Sequence, residues 1–496
     1  MNIHTPAAPH FNFDNTYARD LEGFYAPWKA DPVPEPKFLA FNHDLASQLG
    51  LDGDALKTDT GAAIFAGNTT PEGASPLAQA YAGHQFGGFT PQLGDGRALL
   101  LGELIDQQGN RRDLQLKGSG RTPFSRGGDG KAAVGPVLRE YLMGEAMHAL
   151  GIPTTRALAA VSTGEPVMRE APLPGAVLTR VAASHIRVGT FQFFAVRKDW
   201  PKIKQLADYV IDRHYPEARN DESPYLALFK AVAEAQARLV AGWMHIGFIH
   251  GVMNTDNMSI SGETIDYGPC AFMDHYAPNT VFSSIDAQGR YAYANQPVIA
   301  RWNLTRFAET LLSIAAPDTD RATELLTEAV NTFPETYLRH WLAGMRTKIG
   351  LTTELDGDLE LVNELFAAMD GQNADYANVF RQLSKASIGD ETPARALFSD
   401  DTAFTQWLEV WRIRLASEDL SPQDRAIAMD RINPLYIPRN HKVEEALSAA
   451  TESDDLAPFN ALLAVVRAPY VEVEGQQLYA EPAPNDDTPY QTFCGT

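Results

Sequence analysis

The sequence predicts an α+β chain in two unequal parts, a turn-rich β region over residues 75–185 and a larger helical region over 186–440, with extensions at 1–74 and 441–496. Three observations carry that prediction. Between residues 75 and 131, short apolar runs alternate with Gly-rich turns, as strands joined by tight connections do. From residue 224 to 246, Leu228, Ala231, Val232, Ala235, Leu239 and Trp243 recur at the spacing of one helix face. Residues 303–434 then read as successive helices over 304–315, 321–333, 335–348, 359–366 and 402–416, without a fixed repeat.

Taken in order, Pro32, Pro34 and Pro36 keep the first extension non-helical, and residues 38–49 have the spacing of a short amphipathic helix. No chemistry is legible there. Residues 98–104 read as a strand, Gln107-Gln108-Gly109-Asn110 as a turn and 113–117 as the return strand. Alternation puts Asp113, Gln115 and Lys117 on one face and Leu114 and Leu116 on the core side. A lysine ending a hairpin strand is ordinarily solvated. Here it leads into Gly118-Ser119-Gly120-Arg121 and Gly127-Gly128-Asp129-Gly130-Lys131, a segment whose backbone amides can approach phosphate oxygens. It is not a Walker A loop, since Ser125 stands at the first Gly position and Ala132 follows Lys131. A helix over 134–150, stopped by Gly151 and Pro153, carries Glu140 in its second turn. A strand over 176–181 carries Arg180, with Arg187 seven residues on. Residues 278–302 read as irregular, and 467–496 as a Pro- and acid-rich extended tail.

The bulk numbers exclude several classes. A net charge of -22 and a pI near 4.9 argue against nucleic acid or an anionic membrane as partner. Two cysteines, Cys270 and Cys494, exclude a disulfide-rich scaffold and a Cys-rich zinc site. No apolar run approaches the roughly 18 residues of a membrane span. No basic-then-apolar leader is visible near Met1, so a cytoplasmic location is the expectation.

The chemistry concentrates in His250-Gly251-Val252-Met253-Asn254-Thr255-Asp256-Asn257 and the following Asp266-Tyr267-Gly268. Protein kinases hold Mg²⁺ with an Asn from an H-R-D-x-x-x-x-N loop and an Asp from a later D-F-G. The frame survives here, with Asn257 seven after His250 and Asp266-Tyr267-Gly268 in the second place. Val252, however, occupies the position of the kinase base, and a carboxylate reappears at Asp256, directly before the Asn.

Tyr81-Ala82-Gly83-His84-Gln85-Phe86-Gly87, Gly94-Asp95-Gly96-Arg97, Leu116-Lys117-Gly118-Ser119-Gly120, Gly251 to Asn257 and Asp266-Tyr267-Gly268-Pro269 together resemble the signature blocks of the selenoprotein O family. The resemblance covers nearly the whole chain and implies a protein-kinase-like two-lobed fold, with a small β-rich N-lobe and a large helical C-lobe. It implies transfer of AMP from ATP, bound in reversed orientation, to Ser, Thr or Tyr hydroxyls of proteins. By the same resemblance Asp256 is the proton acceptor, and Asn257 and Asp266 hold Mg²⁺ (or Mn²⁺). Gly94, Gly96, Arg97, Lys117, Asp129, Gly130, Arg180 and Arg187 are implied to bind the nucleotide, and Glu140 to pair with the lysine. A regulatory disulfide between Cys494 and Cys270 is a further implication. Uridylyl transfer from UTP with Mn²⁺, and a non-catalytic nucleotide-binding redox scaffold, stay open as alternatives at this point. Oligomeric state is not legible.

Overall fold

The computed structural model describes residues 10–484 and 490–493. It is a mixed α/β structure in which one large sheet and a large helical part share a core. The strands are β1 (Tyr25–Pro27), β2 (Lys37–Phe41), β3 (Leu77–Gln79), β4 (Gly83–Gln85), β5 (Gly88–Thr90), β6 (Ala98–Ile105), β7 (Arg111–Lys117), β8 (Ala132–Ala133), β9 (Arg156–Met168), β10 (Pro172–Ala182), β11 (Phe248–Ile249) and β12 (Ala271–Phe272). The main sheet is antiparallel in the order β1-β3-β6-β7-β10-β9-β2, with β8 paired to β10.

Alternation along β7 sorts its residues as the sequence predicts. Leu114 and Leu116 enter a core with Leu99, Leu158, Val177 and Phe65, on the face covered by the N-terminal helices. Asp113, Gln115 and Lys117 point to the opposite face, against which the helix Val134–Ala149 packs through Leu138, Tyr141 and Leu142. That face is buried too, so its polar groups need partners. Asp113 takes Arg213 (2.6 Å) and His185 (2.9 Å), and Arg213 reaches on to Glu103 (2.6 Å).

Three sequence expectations are corrected. Residues 38–49 are not one helix. Phe38, Leu39, Ala40 and Phe41 belong to β2, and Asn42 then caps a separate helix, His43–Gln48, by accepting the Leu45 N–H at 3.1 Å. The first extension also supplies both outer strands of the main sheet, β1 and β2, and so is built into the same core. The stretch 278–302 is irregular only at first, because the helix Gln296–Ala315 starts earlier than its apolar periodicity, with proline in its first turn. The helices Pro224–His245, Thr319–Asn331, Phe333–Lys348, Asp358–Met369 and Thr402–Leu415 lie close to where the periodicity puts them. No helix among the described residues is long and apolar enough to cross a membrane.

Glu263, which closes the polar cluster around Asp113, makes a testable point about pH. Its carboxylate accepts the Ala183 N–H and the Ser261 hydroxyl, both at 2.9 Å, and among the described residues its one cation is Arg112 at 3.9 Å. Burial pushes its carboxyl up to about 7 from an ordinary 4.5. The unfolded chain therefore releases this proton first, and the carboxyl subtracts stability progressively as pH rises from 4.5 to 7. Glu263→Gln is expected to be more stable than the wild type by about 2 kcal/mol at pH 8 and equal to it near pH 4.5, read by urea unfolding.

Candidate functional site

The candidate site is a cavity of about 730 Å³, open to one side, whose walls come from the sheet, the Gly-rich segment and the loop between β11 and β12. The β11–β12 pairing, Phe248 to Phe272 and Ile249 to Ala271, closes that loop at its base. His250 sits buried inside it, its ring nitrogen bonded to the Ile265 carbonyl at 2.9 Å. Both chemistry-bearing stretches, 254–257 and 266–268, are thereby presented to one opening.

Three cations converge on one carboxylate. Lys117 Nζ lies 2.9 Å from Asp266 Oδ1, Arg180 2.6 Å from the same oxygen, and Arg187 2.8 Å from Oδ2. Lys117 also binds Glu140 at 2.6 Å, and Arg180 binds Glu140 at 3.2 Å. Burial alone would push the Asp266 carboxyl up, but Lys117, Arg187 and Arg180 override it and hold it well below the usual carboxylate range. Glu140 is likewise raised by burial and lowered further by Lys117 and Arg180, so both acids are charged. Asp266 has φ +62, an uncommon left-handed backbone for which Asp is one of the tolerated residues. Arg139 fixes this corner by donating to the Gly268 carbonyl at 3.2 Å and to that of Cys270 at 2.5 Å.

Asp256 occupies the other wall. Gln85 donates to its Oδ2 at 3.2 Å, while Oδ1 is buried without a hydrogen-bond partner. Burial pushes its carboxyl up to about 6, against the pull of Arg187. At an ordinary carboxyl value an aspartate is a poor base at neutral pH; enclosure removes that objection here. Arg187 spans both walls, since its Nη1 also donates to the Asp256 backbone carbonyl at 2.7 Å. Asn257 lines the cavity and uses Nδ2 on the Val252 carbonyl at 3.0 Å, which leaves Oδ1 as an acceptor.

The remaining sequence-predicted residues, Gly94, Gly96, Arg97, Asp129 and Gly130, line the same cavity. Gly130 has φ +68, and a Cβ there would lie 2.0 Å from the Gly120 carbonyl oxygen, so only glycine lets the two limbs of the Gly-rich segment close. Asp129 is gripped by Arg169 at 2.8 and 3.3 Å. Sequence reasoning missed Arg169, which has no motif around it. It also missed Asp95, buried between the two glycines it counted, with Oδ1 3.9 Å from Arg187. Gln115 was placed on the right face, yet its role as the acceptor for Arg180 Nε at 3.1 Å was not foreseen. Cys270 is buried beside the site, and burial pushes its thiol up to about 11; Cys494 lies outside the described residues.

The donor set suits a hard divalent cation. Among the described residues no cluster of three His, Cys, Asp or Glu is poised for a metal. One or two carboxylates with a carboxamide is instead what Mg²⁺ uses when substrate phosphates complete its shell. The Asp266 carboxylate and the free Asn257 Oδ1, both lining the cavity, fit that description.

A protein-family model described as protein adenylyltransferase SelO matches residues 8–467. A relative from Cereibacter sphaeroides, named protein nucleotidyltransferase YdiU, is 62% identical over 488 residues, covering 98% of this chain and 100% of the relative. One of the same name from Rhizobium meliloti is 59% identical over 488 residues, covering 98% and 99%.

The charge network makes its own prediction. Arg180 is 1% exposed, and its loss takes one of two cations from Glu140, one of three from Asp266, and the donor from Gln115 Oε1. Arg180→Met is expected to lower unfolding stability by about 3 kcal/mol. Adding Glu140→Gln should recover part of that loss, a non-additivity of about 1 kcal/mol measured in a urea double-mutant cycle.

Proposed function

The chain belongs to the SelO family of protein adenylyltransferases and is a nucleotidyltransferase; from that premise we propose that it transfers AMP from ATP to a side-chain hydroxyl of Ser, Thr or Tyr in a protein acceptor, with Mg²⁺ or Mn²⁺. The observation that carries the reading is the gathering of Lys117, Arg180 and Arg187 on one wall of a cavity whose other wall presents the partnerless Asp256 Oδ1. The finer architecture that goes with it is a kinase-like pair of lobes, 75–185 and 186–440, flanked by 1–74 and 441–496, meeting at this cavity.

Transfer of AMP expels pyrophosphate, so negative charge grows on the β- and γ-phosphates. Lys117, Arg180 and Arg187 are three fixed positive groups for that end, with Arg97 and the amides around Asp129 and Gly130 along the rest of the chain of phosphates. A divalent ion held by Asn257 and Asp266 supplies further neutralisation of the phosphate oxygens when bound. The acceptor oxygen attacks the α-phosphorus, the bond to the β-phosphate oxygen breaks, and the hydroxyl proton passes to Asp256 Oδ1. Val252, apolar and 7% exposed at the position of a kinase base, leaves Asp256 as the carboxylate on that side. Two cations beyond the single strand lysine of a kinase favour a pyrophosphate leaving group over transfer of the outermost phosphate.

The test is isotopic. Label from α-³²P-ATP should enter protein, label from γ-³²P-ATP should not, and EDTA should abolish incorporation. Asp256→Asn is expected to lower kcat about 10²- to 10⁴-fold, and Asp266→Ala to abolish transfer. Incorporation from γ-³²P-ATP would establish a kinase instead. Competition by UTP stronger than by ATP would move the reading to uridylyl transfer.

A further inference from the structure

The hairpin β4–β5 hangs over the Asp256 wall, and its tip has a residue choice that folding does not explain. Gln85 pairs with Gly88, so Phe86 and Gly87 form a two-residue turn, with φ +49 and +87. Turns with both central residues left-handed favour Asn or Asp before Gly. A phenylalanine there sits in a strained backbone conformation. Its ring leans on Tyr291, centroids 5.0 Å apart, yet Phe86 remains 37% exposed.

The surroundings hold this strained residue in place. The Phe86 N–H donates to Asn254 Oδ1 at 3.0 Å, and the His84 N–H to the Thr255 hydroxyl at 2.7 Å. Gly83, at the hairpin's base, packs so closely that a Cβ would meet Asp256 Oδ1 at 2.4 Å. Phe86 is thus bolted to the three residues ending in Asp256, and it lines the cavity mouth. On the same cavity stands Ile285, 58% exposed, on a loop held by hydrogen bonds from Ser284 and to Phe282 by Thr492. Two exposed apolar side chains therefore frame the entry to an unpartnered buried carboxylate oxygen.

We infer that Phe86, together with Ile285 on the same cavity, is the docking slot for the acceptor polypeptide, taking an apolar side chain next to the hydroxyl-bearing residue. This rests on the transferase reading above, because a hydroxyl delivered to Asp256 has to pass this mouth on a stretch of chain. The anchoring to Asn254 and Thr255 ties the slot to the acceptor wall; Lys117 and Arg180, which face the triphosphate, lie on the other. Backbone strain kept at a rigid, exposed aromatic group is the form a recognition residue takes when folding alone would have chosen Asn.

Phe86→Asn and Phe86→Gly relieve the turn, so both variants should unfold at or above the wild-type temperature. Two synthetic peptides serve as probes, each with one Tyr, flanked on both sides by Leu in one and by Gly in the other. With α-³²P-ATP, the wild type should prefer the Leu-flanked peptide about tenfold in kcat/KM. Phe86→Asn should erase that preference through the peptide KM while the KM for ATP is unchanged, and Phe86→Tyr should retain it. A preference that survives in Phe86→Asn, a wild type without preference, or an effect on the KM for ATP instead would each overturn the inference. Failure of the wild type to label either peptide, or any protein, would count against the transferase reading and remove the slot with it.

Discussion

Everything at the centre of this molecule depends on the ionic knot at Asp266. Three cations, none more than 13% exposed at the side chain, meet one aspartate, and a second acid, Glu140, closes the knot from the helix behind. Buried charges of one sign are costly without partners, and an isolated cluster of this kind would not survive folding. The aspartate makes the cations tolerable. In the proposed reaction the nucleotide's phosphates take over part of that task.

The knot also explains why the sheet, the helix and the loop must be mutually fixed. Lys117 is the last residue of β7, and Arg180 is the cross-strand neighbour of Gln115 on β10. A register shift against β9 falls between Thr179 and Arg180, where an irregularity can re-aim one side chain without disturbing the strand. Glu140 and Arg139 are adjacent on the helix Val134–Ala149. The first reaches the cations, and the second holds the carbonyls of Gly268 and Cys270. One helix therefore sets the acid and the aspartate loop relative to the same strand.

How much of this was legible in the sequence follows from what each signal depends on. Lys117, Glu140, Asn257 and Asp266 were legible because their spacing is local to one strand, one helix turn or one loop, and the long helices because burial on one face imposes a period. Arg169 and Asp95 were not, since their charge partners, Asp129 and Arg187, lie 40 and 92 residues away and are brought near by chain folding. Residues 38–41 of β2 were read as the start of a helix over 38–49 because apolar residues at short range satisfy either period, and the deciding fact is the free edge of β9 beside them. Phe86 was quoted within a motif, yet nothing in a string of letters announces a positive φ.

Arg187 gives the arrangement its direction. The same guanidinium carbon lies 4.6 Å from the Tyr81 ring centroid, and its Nη1 joins the Asp256 carbonyl to the Asp266 carboxylate. Moving the carboxylate from position 252, where a kinase has its base, to 256 brings it to the residue whose backbone this arginine grips. In the proposed chemistry the acceptor wall and the leaving-group wall are consequently linked through one buried, non-titrating side chain. A kinase separates its base from its strand lysine so that the outermost phosphate can be passed across. In the proposed chemistry the phosphorus set between the proton acceptor and the cluster of cations is the one with two phosphates still to lose.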